Sequence, residues 1–291
     1  MELIICKQLW GHIGTFEDLI DGVTGAGFHG VEGAPPEAPA AREELAGRIA
    51  DAGLHYIAEI STGIYTPGKW VPDPGTTVEQ HLETFRDILA TCLEMQPLRI
   101  TSMAGNDLWS TDESIRFFQE AMLIAADAET EVAFETHRGR STMHPLATAE
   151  IIEAIPEISL TCDFSHWCVT TERSEILDEL PELLSACAAR ARHVHARVGY
   201  DQGAQVPDPR APEYDHCLAA HERWWDTIWE AQEARGLEIA SMTPEFGPDG
   251  YLQMEPFTQK PVADIWDINR WMGRRQLERF SMRPTSAVEV P

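Results

Sequence analysis

Short apolar runs and longer helical stretches alternate eight times along this chain, with no break that would divide it. The runs are ELIICKQ (2–8), HGVEGA (29–34), HYIAEIST (55–62), LRITSMAG (98–105), EVAFETH (131–137), ISLTCDFSH (158–166), ARHVHAR (191–197) and EIASMTPEFG (238–247). Between and after them lie segments whose apolar residues recur at helical spacing: 15–27, 39–53, 77–95, 111–129, 146–156, 174–190, 221–236 and a last one near 261–280. Strands joined through helices run parallel, because each crossover returns the chain to the same end of the sheet. Eight such units predict an α/β fold, a single (β/α)8 TIM barrel with its active site at the C-terminal ends of the strands. The expected domain covers 1–285, followed by a flexible tail at 286–291.

Composition agrees with one barrel. The chain has 291 residues, 43% of them hydrophobic, and barrels of this kind take ~250 residues. A net charge of −26 repels phosphate, so nucleic acid and anionic membrane are not expected partners. No apolar run approaches the ~20 residues of a membrane span, and the N-terminus lacks a basic segment followed by a long apolar one. The six cysteines show no C-x-x-C pairing and read as small buried apolar residues. A cytoplasmic protein with a small-molecule partner is expected, and association into a homo-oligomer is left open. Only three lysines are present, which tilts the expectation toward an unphosphorylated substrate.

The last four runs each reach a metal-binding residue type just as the run becomes a loop: Glu135, Asp163, His195 and Glu245. Singly, each would be a solvated carboxylate or a hydrogen-bonded core histidine. Recurring at one level of four successive units, they predict convergence on one divalent ion. Three carboxylates and one imidazole suit Mn²⁺ first, with Mg²⁺, Co²⁺ or Zn²⁺ as alternatives, and differ from a thiolate-lined structural zinc site. Side chains two apart in a strand share a face, so His137 should join Glu135 at the mouth, and Arg197 should join His195 with His193 one layer deeper. Two long loops rich in Pro, Gly and aromatics, 65–75 and 199–215, are expected to wall the pocket. Trp10 and Trp109, at strand-end loops, are candidates to stack on a sugar ring or aglycone. The segment Gly63–Lys69 has the glycine–lysine skeleton of a phosphate loop, but Trp70 replaces the required Ser/Thr.

With these residues in place, the chain resembles the xylose isomerase-like TIM barrels, which include ketose 3-epimerases, hydroxypyruvate isomerases, inosose dehydratases and endonuclease IV. The resemblance runs along the whole strand–helix pattern and is specific at Glu135, Asp163, His195 and Glu245, where that family carries its metal ligands. It implies that His166, in the D-x-x-H segment Asp163–His166, reaches substrate, and that the two metal-bound glutamates exchange a proton on opposite sides of the reacting carbon. Where similar epimerases place another Glu about six residues after the first ligand, this chain has Ser141, and His137 stands beside the metal instead. The trinuclear zinc site of the endonucleases would need D-x-H after the seventh strand, but the residues here are Asp208–Pro209–Arg210.

The resulting expectation is a metal-dependent sugar isomerase or epimerase. It would move a proton next to a carbonyl through an enediolate, with Glu135, Glu245 and His137 as candidate acid/base groups and Arg197 steadying the oxyanion. One alternative is a lyase or dehydratase acting by β-elimination on a keto-sugar, a 3-keto-glycoside or an inosose. An alternative of another class is a non-catalytic barrel that binds metal or sugar.

Overall fold

A computed structural model describes residues 1–248 and 250–283, so the expected tail 286–291 lies outside the described residues. Eight parallel strands close into a barrel in simple chain order: β1 (Glu2–Gln8), β2 (Gly30–Gly33), β3 (His55–Ser61), β4 (Arg99–Met103), β5 (Val132–Glu135), β6 (Leu160–Cys162), β7 (Ala191–His195) and β8 (Ile239–Thr243). The ring closes where β1 pairs with β8, Glu2 opposite Ile239 and Ile5 opposite Met242. The helices outside it are α1 (Phe16–Ala26), α2 (Pro39–Asp51), α3 (Val78–Leu93), α4 (Thr111–Asp127), α5 (Pro145–Ala154), α6 (Ser165–Thr171), α7 (Pro181–Ala188), α8 (Asp215–Ala234) and α9 (Ile265–Ser281). None of the described helices is long and apolar enough to cross a membrane.

Local chemistry starts and stops these helices. The Thr15, Thr77 and Ser110 hydroxyls each cap a helix by accepting from the backbone N–H of Asp18, Gln80 and Glu113, whose side chains accept in return from the capping residue's own N–H. Gly27 ends α1 in the left-handed region, at φ 76°, where a Cβ would be strained.

Two expected boundaries are corrected. The stretch 174–190 is not one helix: a 3-10 turn at Ile176–Asp178 precedes α7, which begins at Pro181. Proline lacks an N–H and its ring clashes with the preceding turn, so it opens a helix rather than sitting inside one. The run expected to stay extended through His166 leaves the sheet after Cys162, and α6 begins at Ser165. There the Asp163 carboxylate accepts from both the backbone N–H and the hydroxyl of Ser165, which turns the chain.

The barrel interior is layered. Ile4, Cys6 and Ile57, with Ile239 beside them, pack its N-terminal end. Polar side chains fill the levels above, among them Thr101 and Thr161, joined by a 2.6 Å hydroxyl bond. The larger core lies between sheet and helices, where Phe134 meets Phe118 at 4.8 Å and Phe85 at 6.3 Å between ring centroids. Trp224, Trp225 and Trp229 of α8 are fully buried in the same layer.

One irregularity sets the phase of the site. Between β6 and β7 the pairing passes from Leu160–Ala191 to Thr161–His193, leaving Arg192 as an extra residue. A bulge of this kind shifts every later side chain by one position. Thr161 thereby lies level with His193, and the inward-facing Asp163 comes level with His195.

The layered packing assigns different weights to core and caps. Phe118→Ala is expected to cost about 3–5 kcal/mol through cavity formation, whereas Thr15→Ala should cost only ~1 kcal/mol from the lost cap. Urea midpoints of both variants against the parent check that order.

Candidate functional site

The C-terminal mouth of the barrel gathers five buried or nearly buried carboxyl groups, those of Glu32, Glu59, Glu135, Asp163 and Glu245, about His195 and Arg197. Glu135, Asp163, His195 and Glu245 each place one ligand-type atom within 4.8 Å of the others, and all four are buried. His195 Nδ1 lies 3.2 Å from Glu135 Oε1 and 2.8 Å from Glu245 Oε2. Arg197 Nη2 approaches the same Glu245 oxygen at 2.6 Å, and Arg197 Nε lies 3.4 Å from Asp163 Oδ2.

This cluster fits a divalent cation because it is poorly satisfied by protein alone. Glu135 Oε2, Asp163 Oδ2 and Glu245 Oε2 are buried without an aligned hydrogen bond, although Glu245 Oε2 has two cations within ion-pair range. Leaving anionic oxygens unpaired in a dry interior is costly. Burial pushes Asp163 up to about 7 against the pull of Arg197, and it raises Glu135 as well. For Glu245 burial acts upward too, but Arg197 and His195 outweigh it and hold the group at about 2.

The opposite face of His195 carries a residue that sequence reasoning missed. Glu32, from β2, accepts from His195 Nε2 at 2.9 Å and from His193 Nε2 at 3.0 Å. His193 Nδ1 is in turn 2.8 Å from the Ser241 hydroxyl. Glu32 thus fixes the His195 ring and leaves Nδ1 turned toward Glu135 and Glu245, an arrangement that suits an imidazole ligand braced by a carboxylate. The signal was a lone Glu between two glycines in HGVEGA, in a run outside the four that end in the cluster.

Glu59, on β3, was missed for the same reason. It lines the cavity above the cluster, and Gln8 Nε2 donates to its Oε2 at 2.7 Å. Burial pushes its carboxyl up to about 8, with the charges of Glu245, Glu32 and Glu135 adding to the shift.

The remaining expected residues divide. The His137 and His166 rings pack against each other, tilted by 44° with centroids 3.8 Å apart. Burial, with the neighbouring cations, holds both well below the ordinary histidine range, so both are neutral. His166 has neither ring nitrogen hydrogen-bonded, and its Nε2 is 3.5 Å from Asp163 Oδ2. Arg197 lies beneath the Tyr251 ring at 4.4 Å and the Trp10 ring at 5.7 Å, with its Nη1 unbonded. Trp10, His137, Arg197 and Glu245 line a cavity of about 590 Å³ together with Tyr65, Trp70 and Tyr251. Of the two long loops, the first supplies Tyr65, Lys69 and Trp70 to that wall; residues 199–215 are not among its lining. Trp109 does not reach the cavity either. Its indole donates to Thr76 O at 3.1 Å and packs edge-on against His81. Ser141, at the place of the epimerase glutamate, is a buried link whose hydroxyl meets Ser114 Oγ at 2.9 Å.

The candidate metal ligands and their brace have separable signatures. Asp163→Ala and His195→Ala should retain the fold by circular dichroism yet bind no manganese in calorimetric titration. Glu32→Gln should keep the site but weaken it ~10–100-fold. Wild-type affinity in all three would disprove the assignment.

Comparison with known proteins follows this geometry. The profile of the family described as xylose isomerase-like TIM barrel matches residues 20–216, more than half of the chain. No curated protein matches the sequence. Among solved structures, 3-keto-D-glucoside 4-epimerase from E. coli is 16% identical, with 96% of this chain and 100% of that chain covered at a TM-score of 0.58. A probable 3-DHS dehydratase from Bacillus anthracis is 15% identical, covering 93% and 98% at 0.57. A xylose isomerase-like barrel protein from Mycobacterium smegmatis, in complex with magnesium, is 11% identical, covering 94% and 97% at 0.60. At these identities the likeness is one of fold, and the profile match carries the family: the chain belongs to the xylose isomerase-like TIM barrels.

Proposed function

We propose that this protein is a divalent-metal-dependent enzyme that moves a proton next to a carbonyl in a carbohydrate, as an isomerase or epimerase. The observation that carries the reading is the buried Glu135–Asp163–His195–Glu245 cluster, with its unbonded carboxylate oxygens, whose Glu245 lines a cavity together with the His137 imidazole and the Arg197 guanidinium with its free N–H. Manganese is the ion this donor set favours. When bound, the metal would supply Lewis-acid polarisation of the carbonyl and offset the negative charge that develops on its oxygen.

The chain's own residues perform the rest. Glu135 and Glu245 approach His195 from neighbouring directions and are placed to take and return a proton at carbon. Arg197, clamped under Tyr251 and paired to Glu245, directs its free Nη1 toward oxyanion charge. Trp10, Trp70 and Tyr251 narrow the entrance and exclude water from that proton.

A second reading is favoured by the close His137–His166 ring pair. Two neutral imidazoles beside the cluster, with no carboxylate at position 141, provide a base for β-elimination from a keto-sugar or inosose. The named activities of proteins of similar fold, a probable 3-DHS dehydratase and a 3-keto-D-glucoside 4-epimerase, support including an elimination readout and a 3-keto-glucoside in a screen.

Manganese-loaded protein incubated in deuterium oxide with ketoses, inososes and 3-keto-glucosides separates the two readings. Deuterium retained in a rearranged sugar is the expected result, and an unsaturated or deglycosylated product would favour elimination. Exchange-inert substrates throughout would sink both. His137→Ala should keep its metal and lose ~10²-fold in turnover if the imidazole is the base. Arg197→Lys should lose turnover similarly, since Lys lacks the planar fork. Near-normal rates in both well-folded variants would leave Glu135 and Glu245 as the acid/base pair.

A further inference from the structure

The cavity wall that Glu245 shares carries a further polar group that the proposed chemistry does not use. Glu59 and Ser61 project inward from β3, in phase with Ile57 beneath them, and both line the cavity. Gln8 reaches across from β1 and is fixed at both ends of its amide. Its Oε1 accepts from the Trp10 backbone N–H at 3.3 Å, and its Nε2 donates to Glu59 Oε2 at 2.7 Å. That orientation aims the Glu59 carboxyl and leaves Oε1 without a hydrogen-bond partner among the described residues. No ion pair is formed by Glu59 among the described residues, unlike Glu32, Glu135 and Glu245.

A carboxyl group positioned by an amide, without a cation, and with a free oxygen facing a cavity is suited to an uncharged hydroxyl, which both donates and accepts. It is unsuited to a phosphate, which would find no cation paired to Glu59 and would face the ionised carboxylates of Glu32 and Glu245 nearby. We propose that Glu59, aimed by Gln8 and flanked by Ser61, is the specificity-determining group of a second polar subsite, which grips a hydroxyl of a neutral sugar in the cavity it shares with Glu245 and disfavours a phosphate there. The proposal rests on the reading that the cavity takes a carbohydrate. It adds the class, an unphosphorylated polyol-like sugar held at two ends.

Binding, rather than turnover, is the test, so its failure is distinct from failure of the proposed reaction. Manganese-loaded wild type, Glu59→Ala and Glu59→Gln are titrated with D-fructose, D-psicose, D-tagatose and D-sorbose, and with D-fructose 6-phosphate, following tryptophan fluorescence. Manganese content is measured for each variant. The expected result is saturable binding of at least one neutral ketohexose by wild type. For that sugar, Kd should weaken tenfold or more in Glu59→Ala and stay within about threefold in Glu59→Gln, which keeps a polar group of the same shape, with unchanged metal content. D-Fructose 6-phosphate should bind wild type more weakly than that sugar. Four results overturn the proposal: unchanged binding in Glu59→Ala, loss of metal in that variant, tighter binding of the phosphate than of every neutral sugar, or no saturable binding of any neutral sugar.

Discussion

Five carboxyl groups, those of Glu32, Glu59, Glu135, Asp163 and Glu245, face into one barrel mouth, and among the described residues Arg197 is the guanidinium that pairs with them. Such a density of like charge in a water-poor interior is unstable unless protons, histidines or a metal absorb it. The protein divides the burden. Glu32 is held ionised by His193 and His195 despite its burial, Glu245 by Arg197 and His195, while Glu59 and Asp163 are pushed toward the neutral form. Much of what surrounds the mouth follows from this balance: the Gln8 amide on Glu59, the Ser165 hydroxyl and N–H on Asp163, and the aromatic rings that cover Arg197.

The architecture was legible because each strand is short, apolar and punctuated, and because period-two alternation fixes which residues face inward. Glu135 and His195 end their strands, Asp163 follows β6 directly, and Glu245 comes two residues after β8. Arg197 falls beside His195 as alternation requires. What the chain did not disclose is of two kinds. Glu32 and Glu59 lie within strands whose flanks show no ligand pattern, so their inward phase matters only once the barrel is closed. Trp109 fails for the opposite reason. A tryptophan after a strand is as well suited to covering helices as to covering a ligand, and here His81 and Thr76 hold it aside.

The bulge at Arg192 has a similar standing. Nothing in ARHVHAR marks an extra residue, yet without it Thr161 would stand opposite Arg192, and the level of His195 would be carried by an outward-facing neighbour. Register in a parallel sheet depends on both strands at once, and one strand's sequence does not contain it.

The pairing of β1 with β8 has a consequence in time as well as space. A chain emerging from the ribosome carries β1 first and its hydrogen-bonding partner last, so one edge of the growing sheet stays uncovered until residues 239–243 are made. Glu245, which completes the cluster, arrives just behind that closing strand. The four-residue cluster therefore becomes complete only in the final stage of synthesis, while the half-made barrel still carries an exposed strand edge.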